Sequence, residues 1–205
     1  MNRKMPGLRL AFSISDVSID VRFDFIEMNT NHRNVFVRND LSNSLPFAMQ
    51  KNKDLINQFY TAFQNGDFAT MQKSYHDEAH FNDPAFPNLN AKEVRAMWQM
   101  LVTAAKDLRV TFSDVVADET KGSCKWEATY TFSKTGRHVH NRIEANFDFK
   151  DGKIIKHNDH FSFWRWSRQA LGTSGLLLGW SNMLQQKVQT TARKGLDMFM
   201  KRYSK

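Results

Sequence analysis

The sequence predicts an α+β fold in which three N-terminal helices pack as a cone on a strongly bent antiparallel sheet, followed by a C-terminal amphipathic helix. Two observations support this prediction. Apolar residues recur with a helical period between Asp54 and Ala105, and after Asp107 they alternate with polar residues over four segments. A run of helices followed by a run of strands is typical of α+β domains, in which helices cover one face of the sheet.

The composition allows one globular domain with appendages. At 205 residues the chain is long enough for one sizeable core and short for two. The net charge of +8 is concentrated at the C-terminus, because Ser181–Lys205 holds six basic residues against Asp197 alone. This distribution favours a solvated face on a terminal helix over nucleic-acid binding, with peripheral contact to an anionic membrane as the alternative.

Cysteine usage and the first residues predict a reducing compartment. Cys124 is the lone cysteine, so an intrachain disulfide is impossible, and its place in an alternating apolar run suits a buried free thiol. The first 30 residues contain no apolar run of the kind found in secretory leaders. We therefore expect the cytoplasm. The longest apolar stretch, Leu176–Trp180, is much shorter than the roughly 20 residues that cross a bilayer.

The N-terminal residues differ in pattern from the rest of the chain. Val17–Phe25 alternates like a half-buried strand, but polar breaks follow it at Asn29–Asn34 and Asn39–Ser44. An added strand and a poorly ordered leader both remain open. The sequence thus divides into an extension over residues 1–48, a domain over 49–172, and a connector with a basic helix over 173–205.

Three helices are predicted to open the domain. The first spans Asp54–Gly66, where the apolar positions fall on one side. Asp67 caps a short second helix. Asn90 and Glu93 have the spacing of a capping box, and they precede a continuous apolar stripe over Val94–Ala105.

Four strands and a terminal helix are predicted to follow. Glycine-containing turn signals separate the strands, so they should form an antiparallel meander. Their predicted ranges are Leu108–Ala117, Ser123–Ser133, His138–Lys150 and Ile154–Trp166. Asn182–Met200 then places apolar residues along one side of a helix, which we expect to pack on the domain.

The order of these segments resembles the SnoaL-like branch of the nuclear transport factor 2-like superfamily. Leu55–Phe68 resembles its opening helix and short partner, Phe81–Pro84 its first short strand, and Gly152–Phe161 its closing hairpin strand. The resemblance covers about Lys53–Gly172. It implies a cone with a small-molecule pocket, no cofactor and a homodimer. Ketosteroid isomerases and limonene epoxide hydrolases are related branches, so the resemblance specifies the fold and not the reaction.

Asp159 is the candidate catalytic residue. In SnoaL-like cyclases an aspartate on the last long strand, shortly before a Gln-Leu-Gly segment, serves as acid/base, and here Gln169–Gly172 follows Asp159 in a similar way. In strand register Asp159 shares an apolar face with Ile155, His157, Phe161 and Phe163. Desolvation on such a face would favour the protonated carboxyl. The alternative is a structural link from a buried Asp159 to an Arg or Trp.

Two residues are expected to assist Asp159, and an aromatic set is expected to shape the pocket. His140 lies on a polar strand face, so it assists only if that face looks into the cone. Asp83, before Pro84, either reaches the pocket mouth or caps a turn. Arg142 with Asp159 and Asp83 could imitate the trio of a limonene epoxide hydrolase. The predicted ligand-binding residues are Trp126, Tyr130, Phe161, Phe163 and Arg142.

Several other chemistries lack support in the sequence. His76 and His80 are four apart, but His-Asp-Glu-Ala-His departs from the zincin pattern, so no metal is expected. A glycine-rich phosphate loop and a nucleophile elbow are absent. With Asp159 as its acid/base, the resemblance implies a cofactor-independent isomerase, cyclase or dehydratase acting on a hydrophobic carbonyl compound. The alternative is a non-catalytic ligand-binding or scaffold protein of the same fold.

Overall fold

The computed structural model describes residues 13–14, 17–18, 44–104 and 106–203. The chain divides into two compact units, Met1–Asn39 and Asp40–Lys205. In the first unit, strands β1 (Ser13–Ile14) and β2 (Val17–Ser18) form an antiparallel pair. The remainder of the alternating Val17–Phe25 segment lies outside the described residues.

The first helix of the second unit is longer than the sequence indicates. Helix α1 spans Ser44–Gln64, so it begins inside the stretch assigned to the N-terminal extension instead of at Asp54. Asn52 shows what holds this part of the helix in place. Its buried side chain donates hydrogen bonds to the carbonyl oxygens of Asp118 and Glu119, at 2.8 Å and 3.0 Å.

The next two helices begin at the caps that the sequence predicts. Helix α2 spans Phe68–Lys73, and Asp67 accepts a hydrogen bond from the backbone N–H of Thr70. Helix α3 spans Ala91–Ala104. At its start the Asn90 side chain accepts from the backbone N–H of Glu93, and the Glu93 carboxylate accepts from the backbone N–H of Asn90. This reciprocal pair is the predicted capping box.

A curved six-stranded sheet forms the other layer, with strand order β4-β3-β8-β7-β6-β5. The four predicted meander strands are β5 to β8, and each pairs antiparallel with the next. Two additional strands extend the sheet where β3 pairs parallel with β8. The six strands are β3 (Tyr75–Asn82), β4 (Leu89–Asn90), β5 (Arg109–Ala117), β6 (Lys121–Phe132), β7 (Arg137–Lys150) and β8 (Lys153–His160).

The sheet and the helices enclose a strongly aromatic core. Helix α1 packs on β5 and β6, and α3 packs on β3. Fully buried side chains from both layers meet between them, which removes a large apolar area from water. The largest are Trp98, Tyr60, Tyr75, Phe59 and Phe81. Cys124 is buried in the same core as a free thiol, as the sequence predicts.

The last strand differs from its prediction in two ways. A register shift in its pairing with β7 buries Ile154 and leaves Ile155 half-buried, so Ile155 does not share the inner face of His157 and Asp159. The strand also ends at His160 instead of Trp166. Ser162 then caps helix α4 (Phe163–Ala170) by accepting a hydrogen bond from the backbone N–H of Arg165. A serine before an apolar run is a helix start signal.

The remaining residues form helices α5 (Thr173–Leu178) and α6 (Asn182–Tyr203). Helix α6 packs on α3 and buries Leu196 completely, while Lys187, Lys194 and Lys201 stay exposed. This arrangement agrees with the docking expected from its apolar side. Within the described part of the chain, none of the helices combines the length and apolar character that crossing a bilayer requires.

Candidate functional site

Asp159 lies in the interior of the domain, where two side chains hold its carboxylate. It pairs with Ala145 across the β7–β8 ladder, and only 3% of the residue is exposed. The indole N–H of Trp126 donates to Oδ1 at 3.2 Å, and Nε2 of His157 lies 3.1 Å from the same oxygen. No other described residue donates a hydrogen bond to this carboxylate, so Oδ2 is left without a donor.

A second pair of hydrogen bonds orients His157 from behind. Its Nδ1 lies 2.6 Å from the hydroxyl of Tyr75, which accepts a hydrogen bond from the indole N–H of Trp98 at 2.8 Å. Burial raises the pKa of Tyr75 well above its ordinary value, so the hydroxyl keeps its proton. A carboxylate can only accept, so Nε2 of His157 must donate to Asp159, and the Tyr75 proton points to Nδ1. A neutral His157 therefore carries its proton on Nε2 and donates it to Asp159.

The chain of hydrogen bonds from Trp98 through Tyr75 and His157 to Asp159 runs through an aromatic shell. The His157 ring stacks on Trp98 with centroids 6.0 Å apart, and it lies 4.4 Å from the ring centroid of Phe147. His157 itself is fully buried. Water is therefore excluded from most of this network, which strengthens each hydrogen bond and each charge within it.

Tyr60 places an unpaired hydroxyl in the same interior. The residue is fully buried, and the described residues offer its oxygen no hydrogen-bond partner. Burial, and then the charge of Asp159, raises the pKa of Tyr60 well above its ordinary value. The Cys124 thiol lies beside it without hydrogen-bond geometry, and burial raises the pKa of that thiol to about 12. Tyr60 is thus a protonated donor near Asp159 that lacks an acceptor.

Asp83 caps a turn, which is one of the two roles between which the sequence could not decide. Its Oδ1 caps a turn by accepting from the backbone N–H of Ala85 at 2.6 Å and from that of Phe86. The pKa of Asp83 is raised to about 7, mainly by burial. The charge of Asp159 also raises this pKa, whereas the two backbone hydrogen bonds lower it. The carboxyl is therefore partly protonated at neutral pH, and the residue as a whole is half-buried.

The end of helix α6 nearest Asp83 covers this part of the domain. Gln185 and Gln189 both donate side-chain hydrogen bonds to the carbonyl oxygen of Pro84, at 3.3 Å and 3.1 Å. Farther along the helix, Arg193 forms an ion pair with Glu93 at the start of α3. These contacts hold α6 over the turn that Asp83 caps.

Tyr130, Phe161 and Phe163 pack in the apolar clusters of the domain. The Tyr130 hydroxyl accepts a hydrogen bond from the indole N–H of Trp166 at 2.9 Å. Burial raises the pKa of Tyr130, the hydrogen bond from Trp166 lowers it, and the charge of Asp83 raises it. Phe161 contacts both apolar clusters of the domain, whereas Phe163 packs in the smaller one on helix α4.

His140 and Arg142 lie on the other face of β7, where solvent reaches them. His140 Nε2 lies 2.6 Å from the Glu127 carboxylate, and Arg142 Nε lies 3.4 Å from the same group. Their neighbours Val139 and Ile143 point into the core. The structure therefore does not bring His140 to Asp159, and it does not assemble Arg142, Asp159 and Asp83 into a trio.

A groove of about 460 Å³ runs along this outer side of β6, β7 and β8 to the start of α4. Three of the five predicted ligand-binding residues line it, namely Trp126, Phe161 and Arg142, whereas Tyr130 and Phe163 do not. The predicted residues are thus divided between the outer groove, the interior around Asp159, and the region under α6.

The sequence analysis missed Tyr60, Tyr75 and Trp98 as functional candidates. Tyr60 and Trp98 belong to the apolar stripes of α1 and α3, where an aromatic residue is indistinguishable from ordinary core. Tyr75 lies at the start of β3, directly after the second helix. His76 and His80 also lie in β3, and among the described residues no three His, Cys, Asp or Glu side chains come together as a metal site.

Comparison with known proteins places the core of the chain in a family. Residues 56–157 match the family model of the SnoaL-like domain. No curated protein sequence matches the chain significantly.

Solved structures share the fold at low sequence identity. A candidate SnoaL-like polyketide cyclase from Jannaschia sp. CCS1 is 9% identical, with a TM-score of 0.54, and the match covers 62% of this chain and 94% of that one. A candidate polyketide cyclase from Xanthomonas campestris is 18% identical, with a TM-score of 0.51 and coverages of 60% and 98%. An epoxide hydrolase from M. tuberculosis, similar to limonene epoxide hydrolase, is 16% identical, with a TM-score of 0.50 and coverages of 63% and 95%.

Proposed function

Because residues 56–157 form a SnoaL-like domain, we propose that the protein binds a hydrophobic small molecule and acts on it as a cofactor-independent isomerase, cyclase or dehydratase. In this proposal Asp159 is the general acid/base and moves a proton on a carbon atom next to a carbonyl group. Such a reaction needs one positioned carboxyl group and a site from which water is excluded.

The environment of Asp159 is the observation that carries the proposal. Trp126 and His157 both donate to Oδ1, so the carboxylate is fixed in orientation while Oδ2 receives no hydrogen bond from the described residues. Oδ2 is therefore the oxygen that would exchange a proton with the substrate. His157 cannot turn away, because Tyr75 holds its other ring nitrogen.

Two further groups give the proposed site its other chemical roles. The unpaired hydroxyl of Tyr60 would donate to the carbonyl oxygen of the substrate, where negative charge develops during proton abstraction. Asp83, with a pKa raised to about 7 by burial, can both hold and release a proton at neutral pH. Such groups in different environments allow acid and base chemistry at one pH.

The substrate would enter past Asp83 and Tyr130. Asp83 caps the turn that Gln185 and Gln189 of α6 hold through the carbonyl oxygen of Pro84. Trp126, which donates to Asp159, and Phe161, which contacts both apolar clusters, would provide apolar contacts to the bound substrate. Helix α6 would then have to move or tilt for the substrate to reach Asp159.

A non-catalytic ligand-binding or scaffold protein is the second candidate function. The observation that favours it is the completeness of the internal network, in which Asp159 ties β8 to β6 through Trp126 and, through His157 and Tyr75, to α3. An aspartate of this kind can stabilise a fold without touching a ligand.

The variant Asp159→Asn tests whether the charge of Asp159 is needed for the fold. The amide oxygen can still accept from Trp126 and His157, so a catalytic Asp159 predicts a thermal melt close to that of the wild type. If Asp159 instead neutralises a charged His157, the variant loses the partner of a buried charge, which costs about 3–5 kcal/mol. The exposed Asp77→Asn is the matched control. Mass spectrometry of solvent extracts from the purified protein would identify any apolar ligand that both variants retain.

A homodimer and a cytoplasmic location also belong to the proposal. The resemblance implies pairing through the open face of the sheet, where His140 and Arg142 meet Glu127. Light scattering would measure the mass of the protein in solution. An Arg142→Glu variant with the same dimeric mass as the wild type would argue against this face as the dimer interface.

A further inference from the structure

Helix α5 and the turn after it expose a continuous group of large apolar side chains, here called the apolar knob. Its members are Leu176, Leu177, Trp180 and Met183, of which 50%, 62%, 75% and 68% is exposed. Single exposed apolar residues are ordinary, but a contiguous patch of this kind marks an interaction site. The matched neighbours are covered almost completely by about 60% of this chain, so the patch is carried by residues beyond the matched domain at 56–157.

The packing of α5 turns its apolar side away from the protein. Gly175 and Gly179 are buried against helix α4, and a Cβ atom at Gly175 would lie 1.9 Å from the carbonyl oxygen of Ser167. A Cβ atom at Gly179 would lie 2.1 Å from the Ser167 hydroxyl oxygen. Only glycine fits this contact, so α5 is fixed with its glycines inward and its leucines outward.

The two tryptophans at the knob each pair their indole N–H with a backbone carbonyl oxygen. The indole N–H of Trp180 donates to the carbonyl oxygen of Leu177 at 2.9 Å, and that of Trp164 donates to the carbonyl oxygen of Leu176 at 3.2 Å. Both rings are held against α5 and present apolar faces. Tryptophan of this kind is enriched where proteins meet the interface of a bilayer.

The segment of the chain that carries the knob holds basic residues and no acidic ones. From His160 to Leu196 the sequence contains no Asp or Glu, while it contains five Lys or Arg residues. Arg165, Arg168 and Lys187 are exposed, and they form no ion pair with any described residue. The Arg168 guanidinium lies 4.8 Å from the ring centre of Trp164, at the edge of the knob.

We propose that the apolar knob is a peripheral membrane-binding site for an anionic lipid surface. Its leucine and tryptophan side chains insert at the level of the headgroups, and the surrounding arginines and lysine bind lipid phosphates. A second copy of the chain fits less well. A symmetric dimer would bring the same patch of both copies together, and the basic residues around the two knobs would repel each other.

Vesicle flotation of the full chain tests this proposal. We expect retention on vesicles of equimolar phosphatidylcholine and phosphatidylglycerol, little retention on phosphatidylcholine alone, and a steep decrease with salt. The variant Leu177→Ser/Trp180→Ser should lose at least tenfold in affinity, because it removes two large apolar side chains from the contact. Arg165→Gln and Arg168→Gln should each lose about fivefold.

Control variants separate membrane contact from general effects. Val116→Ser changes a side chain that is 60% exposed on β5, far from the knob in sequence, and should leave retention unchanged. Leu176→Ser/Leu177→Ser repeats the test if the tryptophan variant folds poorly. Three results would each overturn the proposal. The wild type and the knob variants are retained equally, or the wild type is not retained on anionic vesicles. In the third, the protein is a dimer that the knob variants dissociate, and it binds no vesicles.

Discussion

Asp83→Asn should make the protein more stable at neutral and alkaline pH. The amide oxygen can still accept from the backbone N–H groups of Ala85 and Phe86, so the turn keeps its cap. The substitution removes a carboxyl group whose ionised form is disfavoured by burial and by the charge of Asp159. The folded protein no longer has to accommodate that charge.

The sign and size of the effect follow from the two states of the carboxyl group. Burial raises the pKa of Asp83 from 3.8 to about 7, so between these values the folded state binds more protons than the unfolded state. The contribution of Asp83 to stability is complete below about pH 4 and is lost as the pH rises to about 7. A difference of this size in pKa corresponds to about 4 kcal/mol. Partial exposure of the residue makes that figure an upper limit.

Urea unfolding of both proteins from pH 4 to pH 8 measures the effect. The difference in the free energy of unfolding between Asp83→Asn and the wild type should increase with pH and level off above pH 7. The exposed Asp77→Asn, whose side chain is 86% exposed, should show no comparable trend. A difference that stays constant with pH, or that grows toward acid, would refute a buried Asp83 carboxyl of raised pKa.

Three other substitutions test the interior and the α5 contact. Tyr75→Phe leaves two buried groups, Trp98 and His157, without their partner, and should lower the free energy of unfolding by about 1–3 kcal/mol for each. Tyr60→Phe removes a hydroxyl without a partner and should leave stability equal or higher; a loss as large as that of Tyr75→Phe would contradict its unpaired state. Gly175→Ala should push α5 away from Ser167 and weaken vesicle binding. Unchanged binding would contradict the claim that the glycine contact fixes the position of the apolar knob.

Local signals in the sequence predicted much of the fold. The capping box of Asn90 and Glu93 depends on neighbouring residues, so it could be identified without a structure. The alternation along β6 and β7 likewise follows from burial of one sheet face. The predicted end of β8 was wrong because the alternation continues through Phe163, whereas Ser162 caps a helix that begins there. A choice between two local signals depends on tertiary packing.

The candidate site was less predictable because its residues come from distant elements. Asp159 could be selected because one strand face carries it beside His157. Tyr75 and Trp98 complete the network from β3 and α3, and no local pattern indicates that they meet His157. Alternation shows which residues share a face with His140, but packing decides which face of the strand looks inward.

Proton exchange at carbon tests the role of Asp159 most directly. A panel of cyclic and polycyclic ketones is incubated with the purified protein in D₂O, and loss of the protons next to the carbonyl is followed by proton NMR. We predict exchange above the buffer rate for the wild type, and a decrease of about 100- to 10,000-fold for Asp159→Asn with its urea midpoint unchanged. Equal exchange by both proteins, or no exchange of any ketone by the wild type, would contradict general acid/base catalysis by Asp159.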